Sequence, residues 1–230
     1  MGEERVESRR VIEIQRKALA ANDRRAARLR EGFARSRTLV VNLISSPGSG
    51  KTTLLEQTVR RLVPSGLGCG VLEGDVATER DADRIRALGV WAHQILTGGA
   101  CHLDARLVER ALEEARPPEL DILFIENVGN LICPTNYDLG EDFKVALLSV
   151  AEGDDKPFKY PAIFSRAEVT VITKADLLPH LPFDLEAVRE QVRALNPRGT
   201  FLVTSSTSGE GLDGWCDLLR SRLREKRRAS

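Results

Sequence analysis

What this sequence has little of bounds it first. Aromatic residues make up only 5% of its 230 residues, and Lys+Arg and Asp+Glu both total 34, so the formal net charge is zero. No global field therefore draws it to nucleic acid or to an anionic membrane. Glu3, Glu4 and Arg5 stand where a signal peptide needs an apolar core, and no hydrophobic run approaches a membrane span. The expectation is a cytoplasmic protein with no nucleic-acid and no membrane partner. Its four cysteines (Cys69, Cys101, Cys133, Cys216) are far apart and make no disulfide framework in that compartment. There is no internal repeat and no low-complexity linker. A chain of 230 residues, 30% of them charged, can bury one sizeable core and suits an α/β protein.

What is there centres on residues 42–55, NLISSPGSGKTTLL. An apolar run breaks into Ser-Ser-Pro-Gly-Ser-Gly and resumes as a helix-like stretch after Lys51-Thr52-Thr53. A buried strand, a glycine loop and a helix start make a phosphate cradle, because inward-pointing N–H groups and the helix N-terminus favour an anion there. Gly48, Ser49, Gly50, Lys51, Thr52 and Thr53 form the nucleotide-binding run. Lys51 would reach the terminal phosphates and the Thr52 hydroxyl would hold Mg²⁺. Ser45 stands where the pattern has its first glycine. The plainer reading is an ordinary strand-turn-helix rich in small residues.

Downstream, short apolar runs alternate with helical patterns, the mark of a parallel sheet with crossover helices. Strands are expected at 39–44, 70–73, 92–96, 122–126, 145–150, 169–173 and 201–204. Helices are expected at 50–63, 79–87, 103–115, 161–165, 184–195 and 211–224, with Asp184 as an N-cap. Residues 1–37 read as a separate segment of one or two helices lying against the 38–230 nucleotide domain or a partner, with Arg24, Arg25, Arg28 and Arg30 on a solvated face. The C-terminal Arg-Glu-Lys-Arg-Arg-Ala-Ser reads as a frayed tail. The fold class is α/β: a P-loop NTPase whose mostly parallel sheet is flanked by helices on both faces, with an N-terminal helical segment.

Two stretches turn a nucleotide site into a guanine site. Thr173-Lys174-Ala175-Asp176 follows a strand. There the Asp176 carboxylate would accept from guanine N1–H and the exocyclic amine, which adenine does not offer. Ser205-Ser206-Thr207 would back the guanine carbonyl. Asp75, closing Glu73-Gly74-Asp75, is placed for Mg²⁺ or the attacking water. Glu126 ends a buried strand and Gly129 follows, the place of a Mg²⁺ acid and a γ-phosphate-sensing loop. The bland alternatives are a turn carboxylate at Asp75 and a solvated helix start at Lys174. Cys101-His102 and Cys133 all trail strands on the ligand-binding edge of such a sheet. Thiolates and imidazole suit Zn²⁺ or Ni²⁺. Three ligands leave a position open, which a two-fold dimer would fill; a buried cysteine beside a surface histidine is the plain reading. Cys69 and Cys216 read as core.

At this point the chain resembles the hydrogenase nickel-incorporation GTPase family (HypB), from Ile14 to the C-terminal helix. The motifs are SSPGSGKTTLLE (45–56), EGD (73–75), TGGACHLDA (97–105), LFIENVGNLICP (123–134), LSVAEGDDKPFKYP (148–161), TKADLLP (173–179) and TSGEG (207–211). Urease accessory GTPases are related but carry Cys-Pro-His. The resemblance implies a GTPase of the SIMIBI class that forms a homodimer on binding GTP and delivers nickel to the large subunit of a [NiFe]-hydrogenase, working with a HypA-like zinc protein. It implies that Cys101, His102 and Cys133 hold Ni²⁺ or Zn²⁺ at the dimer interface. Gly48, Gly50, Lys51 and Thr52 match the phosphate and Mg²⁺ positions, Asp75 the switch acid, Glu126 the Walker-B acid, and Lys174 and Asp176 the guanine pair. Lys156 would join the nucleotide neighbourhood. Some members carry an N-terminal CxxCGC or His-rich segment; here no Cys or His precedes Cys69, so the interface site would be the sole metal site. The rival readings are a metal-independent G-protein chaperone of the same class, a urease-type nickel-delivery GTPase, and a P-loop small-molecule kinase.

Overall fold

A computed structural model describes residues 2–75 and 80–229. Seven strands form one parallel sheet: β1 (Leu39–Ser45), β2 (Cys69–Asp75), β3 (Trp91–Leu96), β4 (Ile122–Glu126), β5 (Phe143–Ser149), β6 (Val169–Thr173) and β7 (Thr200–Val203). Their spatial order is β3-β2-β4-β1-β5-β6-β7. All seven residues of β1 are buried, as a parallel strand covered on both faces requires.

The helices are α1 (Gly2–Ser36), α2 (Lys51–Leu62), α3 (Arg80–Arg86), α4 (Ala105–Ala115), α5 (Lys156–Lys159), α6 (Pro161–Arg166), α7 (Leu185–Leu195) and α8 (Leu212–Ala229). The two-residue alternation of β1 divides them. Leu39, Val41 and Leu43 share a core with Leu54 of α2, Ile85 of α3 and Trp215 of α8. Val40 instead packs with Phe33 of α1 and Val108 of α4, and Ile44 with Phe164 of α6 and Val188 of α7. Trp215 donates its indole N–H to Thr58 Oγ1 at 2.9 Å, so the large apolar ring is buried without orphaning its polar atom.

The expected strands and crossover helices are all present. Asp184 caps α7 by accepting from the Ala187 N–H at 2.9 Å. The start expected for α3, Glu79, lies outside the described residues. Two local expectations fail for one physical reason, which is that their partners are distant in sequence. The C-terminal run is not frayed: α8 continues to Ala229, Lys226 pairs with Asp142 at 2.6 Å, and Arg227 pairs with Asp121. The arginines of α1 are not simply solvated. Arg25 and Arg28 meet Glu109 of α4 at 2.7 and 3.4 Å, and Arg30 meets Asp138 at 2.6 Å. α1 is one continuous helix, and its Ala26 and Phe33 are buried. Among the described residues no helix is long and apolar enough to cross a membrane.

β1 lies where the chain reverses direction across the sheet, with β4 on one side and β5 on the other. Ligands of open parallel sheets bind in the crevice outside the carboxyl ends of the strands at that reversal. The residues following β1, β2 and β4 border that crevice.

Candidate functional site

β1 ends at Ser45, and α2 begins six residues later at Lys51. Between them Gly48 and Gly50 take φ of +73° and +94°, the left-handed region that costs a side-chain-bearing residue about 1–2 kcal/mol. A β-carbon would meet nothing within 4 Å at either position, so the requirement is conformational and not one of space. Lys51 and Thr52 are buried. Lys51 Nζ donates to Ser45 Oγ at 2.9 Å, and Ser49 also donates to Ser45. The serine at the departure from the glycine pattern thus holds the lysine over the loop. Thr53, on the first turn of α2, accepts from Arg84 at 3.3 Å.

A cavity of about 500 Å³ opens beside this loop, walled by Lys51, Thr52, Glu73, Asp75, Glu126 and Gly129, with Lys174 at its rim. Thr52 Oγ1 donates to Glu126 Oε1 at 3.0 Å. Paired β2 and β4 put Glu73 directly opposite Glu126. Burial, reinforced by the Glu126 carboxylate, pushes the Glu73 carboxyl far above its usual range; burial also raises Glu126, against the pull of Lys51. Glu73 Oε1 and Glu126 Oε2 are buried with no hydrogen-bond donor among the described residues. Two buried carboxyl groups with unserved oxygens beside a threonine hydroxyl fit a hard divalent cation. Gly129 lies against Pro47 so closely that a β-carbon would come within 2.8–2.9 Å of its ring and backbone.

On the other flank, Lys174 takes a left-handed φ of +57° at the end of β6 and donates to the Gly48 carbonyl at 2.8 Å. Thr173 Oγ1 donates to the Ser49 carbonyl at 2.6 Å, so β6 is fastened to the phosphate loop. Asp176 and Ser205 lie off the cavity wall, and Ser205 donates to Asp176 Oδ1 at 2.5 Å. Ser206, next to Ser205, is half-buried. Lys156, like Ser49, Asp176, Ser205 and Ser206, does not line the cavity, and its ammonium sits 5.5 Å from the centre of the Tyr160 ring.

Cys101, His102 and Cys133 come together on the same edge of the sheet, their ligand atoms all within 4.8 Å of one another. Cys101 and His102 follow β3, and Cys133 follows β4. Cys101 is exposed, whereas the other two are half-buried. Burial lowers His102 despite the opposing charge of Asp104, favouring the neutral imidazole a metal needs. The Cys101 thiol is raised, chiefly by its hydrogen bond with Cys133. The His102 ring leans on Tyr137 with centroids 4.0 Å apart. Asn130 Oδ1 accepts from the Ile132 and Cys133 N–H groups at 2.7 and 3.3 Å, which folds the chain so that Cys133 turns back toward Cys101. Cys69 and Cys216 are buried in the core.

Sequence reasoning missed the asparagines. Asn42 and Asn127 are buried to 0% and 1% exposure and bond to each other at 3.3 Å. The available signal was a polar residue inside an apolar strand, Val40-Val41-Asn42-Leu43-Ile44, where a buried amide demands a partner.

The left-handed glycine loop, the buried lysine and the strand order define a P-loop nucleotide-binding protein of the α/β class. The family model "CobW/HypB/UreG, nucleotide-binding domain" matches residues 39–203. The chain is 50% identical to the hydrogenase maturation factor HypB of Escherichia coli (strain K12) over 213 residues, covering 93% of this chain and 73% of that protein. It superposes on HypB from Helicobacter pylori in complex with nickel with a TM-score of 0.85, 42% identity, and coverage of 89% and 96% of the two chains. HypB from Archaeoglobus fulgidus gives 0.83 and 40%, covering 89% and 99%. The chain belongs to the CobW/HypB/UreG family, among its HypB hydrogenase maturation factors.

Proposed function

We propose that this protein is a GTP-hydrolysing metallochaperone that loads nickel into a [NiFe]-hydrogenase large subunit, with the nucleotide state gating its metal site. One observation carries the reading: the thiolate–imidazole cluster stands on the same sheet edge as the phosphate loop, behind strands that flank β2. Kinship with a nickel-bound HypB supports nickel as the cargo, and the donor set also accepts Zn²⁺.

Lys51 and the loop N–H groups would offset charge developing on the terminal phosphate. Thr52, Asp75 and Glu126 would hold Mg²⁺, which would supply further charge neutralisation at the phosphates. Asp75 would orient the attacking water, and Gly129 would report the γ-phosphate. Asp176, with Lys174 along the base, would select guanine; Ser205 and Ser206 would back it. Lys156 lies away from the cavity and would enter through a second copy of the chain. Three ligands leave a tetrahedral or square-planar shell incomplete, so a homodimer in the GTP state would complete it, and a HypA-like protein would exchange metal with it. No membrane or nucleic acid is needed, and the setting is the cytoplasm.

The test is turnover of GTP against ATP, together with nickel stoichiometry. The reading requires GTP preference that Asp176→Ala abolishes, and nickel binding that Cys101→Ala abolishes. Equal turnover of ATP, or nickel binding indifferent to Cys101, would overturn it.

A further inference from the structure

We infer that Asn127 is a positioning residue that couples the metal loop to the nucleotide-sensing loops, an inference resting on the nucleotide-gated reading above. Asn127 lies between Glu126 and Val128, just where β4 passes into the loop that carries Gly129. Its side-chain carbonyl oxygen accepts two backbone N–H groups, from Val128 and from Leu103, each at 3.1 Å. Leu103 directly follows His102. One buried oxygen therefore ties the residue after the metal ligand to the start of the phosphate-sensing loop.

The rest of the side chain is fixed. Its NH₂ donates to Asn42 Oδ1 at 3.3 Å, and Asn42 in turn donates to Glu141 at 3.3 Å. Only this amide orientation satisfies two N–H donors on one side and an acceptor on the other. The Asn127 backbone N–H is held by the Leu43 carbonyl at 3.0 Å. Leu103 has a second attachment. Its fully buried side chain presses on Gly74, where a β-carbon would come within 2.8 Å of it. Gly74 stands between Glu73 and Asp75. The residue beside His102 is thus held at both nucleotide-facing strands, by its N–H donated to Asn127 just past β4 and by packing on β2.

If Val128 and Gly129 shift to meet a γ-phosphate, the shared oxygen cannot keep both N–H groups at their present distances. Either Leu103 follows, carrying His102 with it, or one buried N–H loses its acceptor. Each outcome gives the metal loop a different free energy in the two nucleotide states, and that difference is the coupling.

The experiment measures nickel affinity of the whole chain with GDP and with a non-hydrolysable GTP analogue, in the wild type and in Asn127→Ala. The wild type should show a ratio of about fivefold or more. Asn127→Ala should still bind nickel and each nucleotide, but its ratio should fall to within about twofold of unity. A merely structural role would weaken both affinities together and leave the ratio intact, which overturns the inference. A wild-type ratio of unity removes the gated reading itself, and this inference with it. Should Asn127→Ala not fold, amide hydrogen exchange of the wild type decides. Protection at Leu103 and Val128 must change together between GDP and the analogue; change at one without the other overturns the coupling.

Discussion

On the nucleotide side the main chain does the shaping. Gly48 and Gly50 turn left-handed, and Lys51 and Thr52 are buried as soon as α2 begins. On the metal side there is a glycine turn at Gly98 and Gly99, but the ligands are aimed by side-chain amides. Asn130 folds the Cys133 loop and Asn127 holds Leu103. Asn22 of α1 bridges the start of α4 and the segment after the Cys133 turn, accepting from the Ala105 N–H and donating to the Asp138 carbonyl, both at 2.8 Å. The phosphate cradle is a local object of about ten residues. The candidate metal cluster draws its residues from two separate loops, after β3 and after β4, and α1 bonds the segments that follow them. The contrast suits the proposed roles: contiguous backbone for fixed, desolvated donors to a phosphate, and loops held by replaceable contacts for an ion that would be taken up and released.

If the two sides are built this differently, they should break separately. Lys51→Ala should cut GTP turnover by about 10²–10³-fold, the cost of losing one preorganised charge-stabilising donor. Nickel affinity of the nucleotide-free protein should stay within about twofold under the same change, read by titration. Cys133→Ala should weaken nickel by about a hundredfold, the upper end of what loss of even a supporting residue costs. GTP binding to that variant, measured by a fluorescent analogue, should be unaltered when metal is absent. Asn22→Ala sharpens the comparison. It leaves the Ala105 N–H and the Asp138 carbonyl without a buried partner and should lower stability by about 1–3 kcal/mol in denaturant unfolding. It should also weaken nickel while sparing the nucleotide site. An Asn22→Ala protein with native nickel affinity would mean that α1 is only a scaffold.

The same contrast explains what was legible in the sequence. The phosphate loop, β6 with its Lys174, and the strands of the sheet could be read from adjacent residues, because their physics is local: alternation, left-handed glycine, strand ends. Cys101, His102 and Cys133 could be flagged as residue types, yet nothing local brings them together. That depends on the pairing of β2 with both β3 and β4 and on three asparagines. The extension of α8 to Ala229 went unread for a similar reason. Lys226 and Arg227 are a solvated run until Asp142 and Asp121 arrive from more than eighty residues away. Glu73 was read as the end of the second strand; its burial opposite Glu126 required the strand register.

The central claim is that nucleotide and metal act on one switch, and linkage makes it reciprocal. The most direct measurement is the affinity of a non-hydrolysable GTP analogue with and without saturating nickel, with GDP as control. The account predicts that nickel changes analogue affinity by about fivefold or more and GDP affinity by much less. Identical analogue affinity in the presence and absence of nickel would contradict it, leaving a GTPase and a metal site that share a sheet edge but no mechanism.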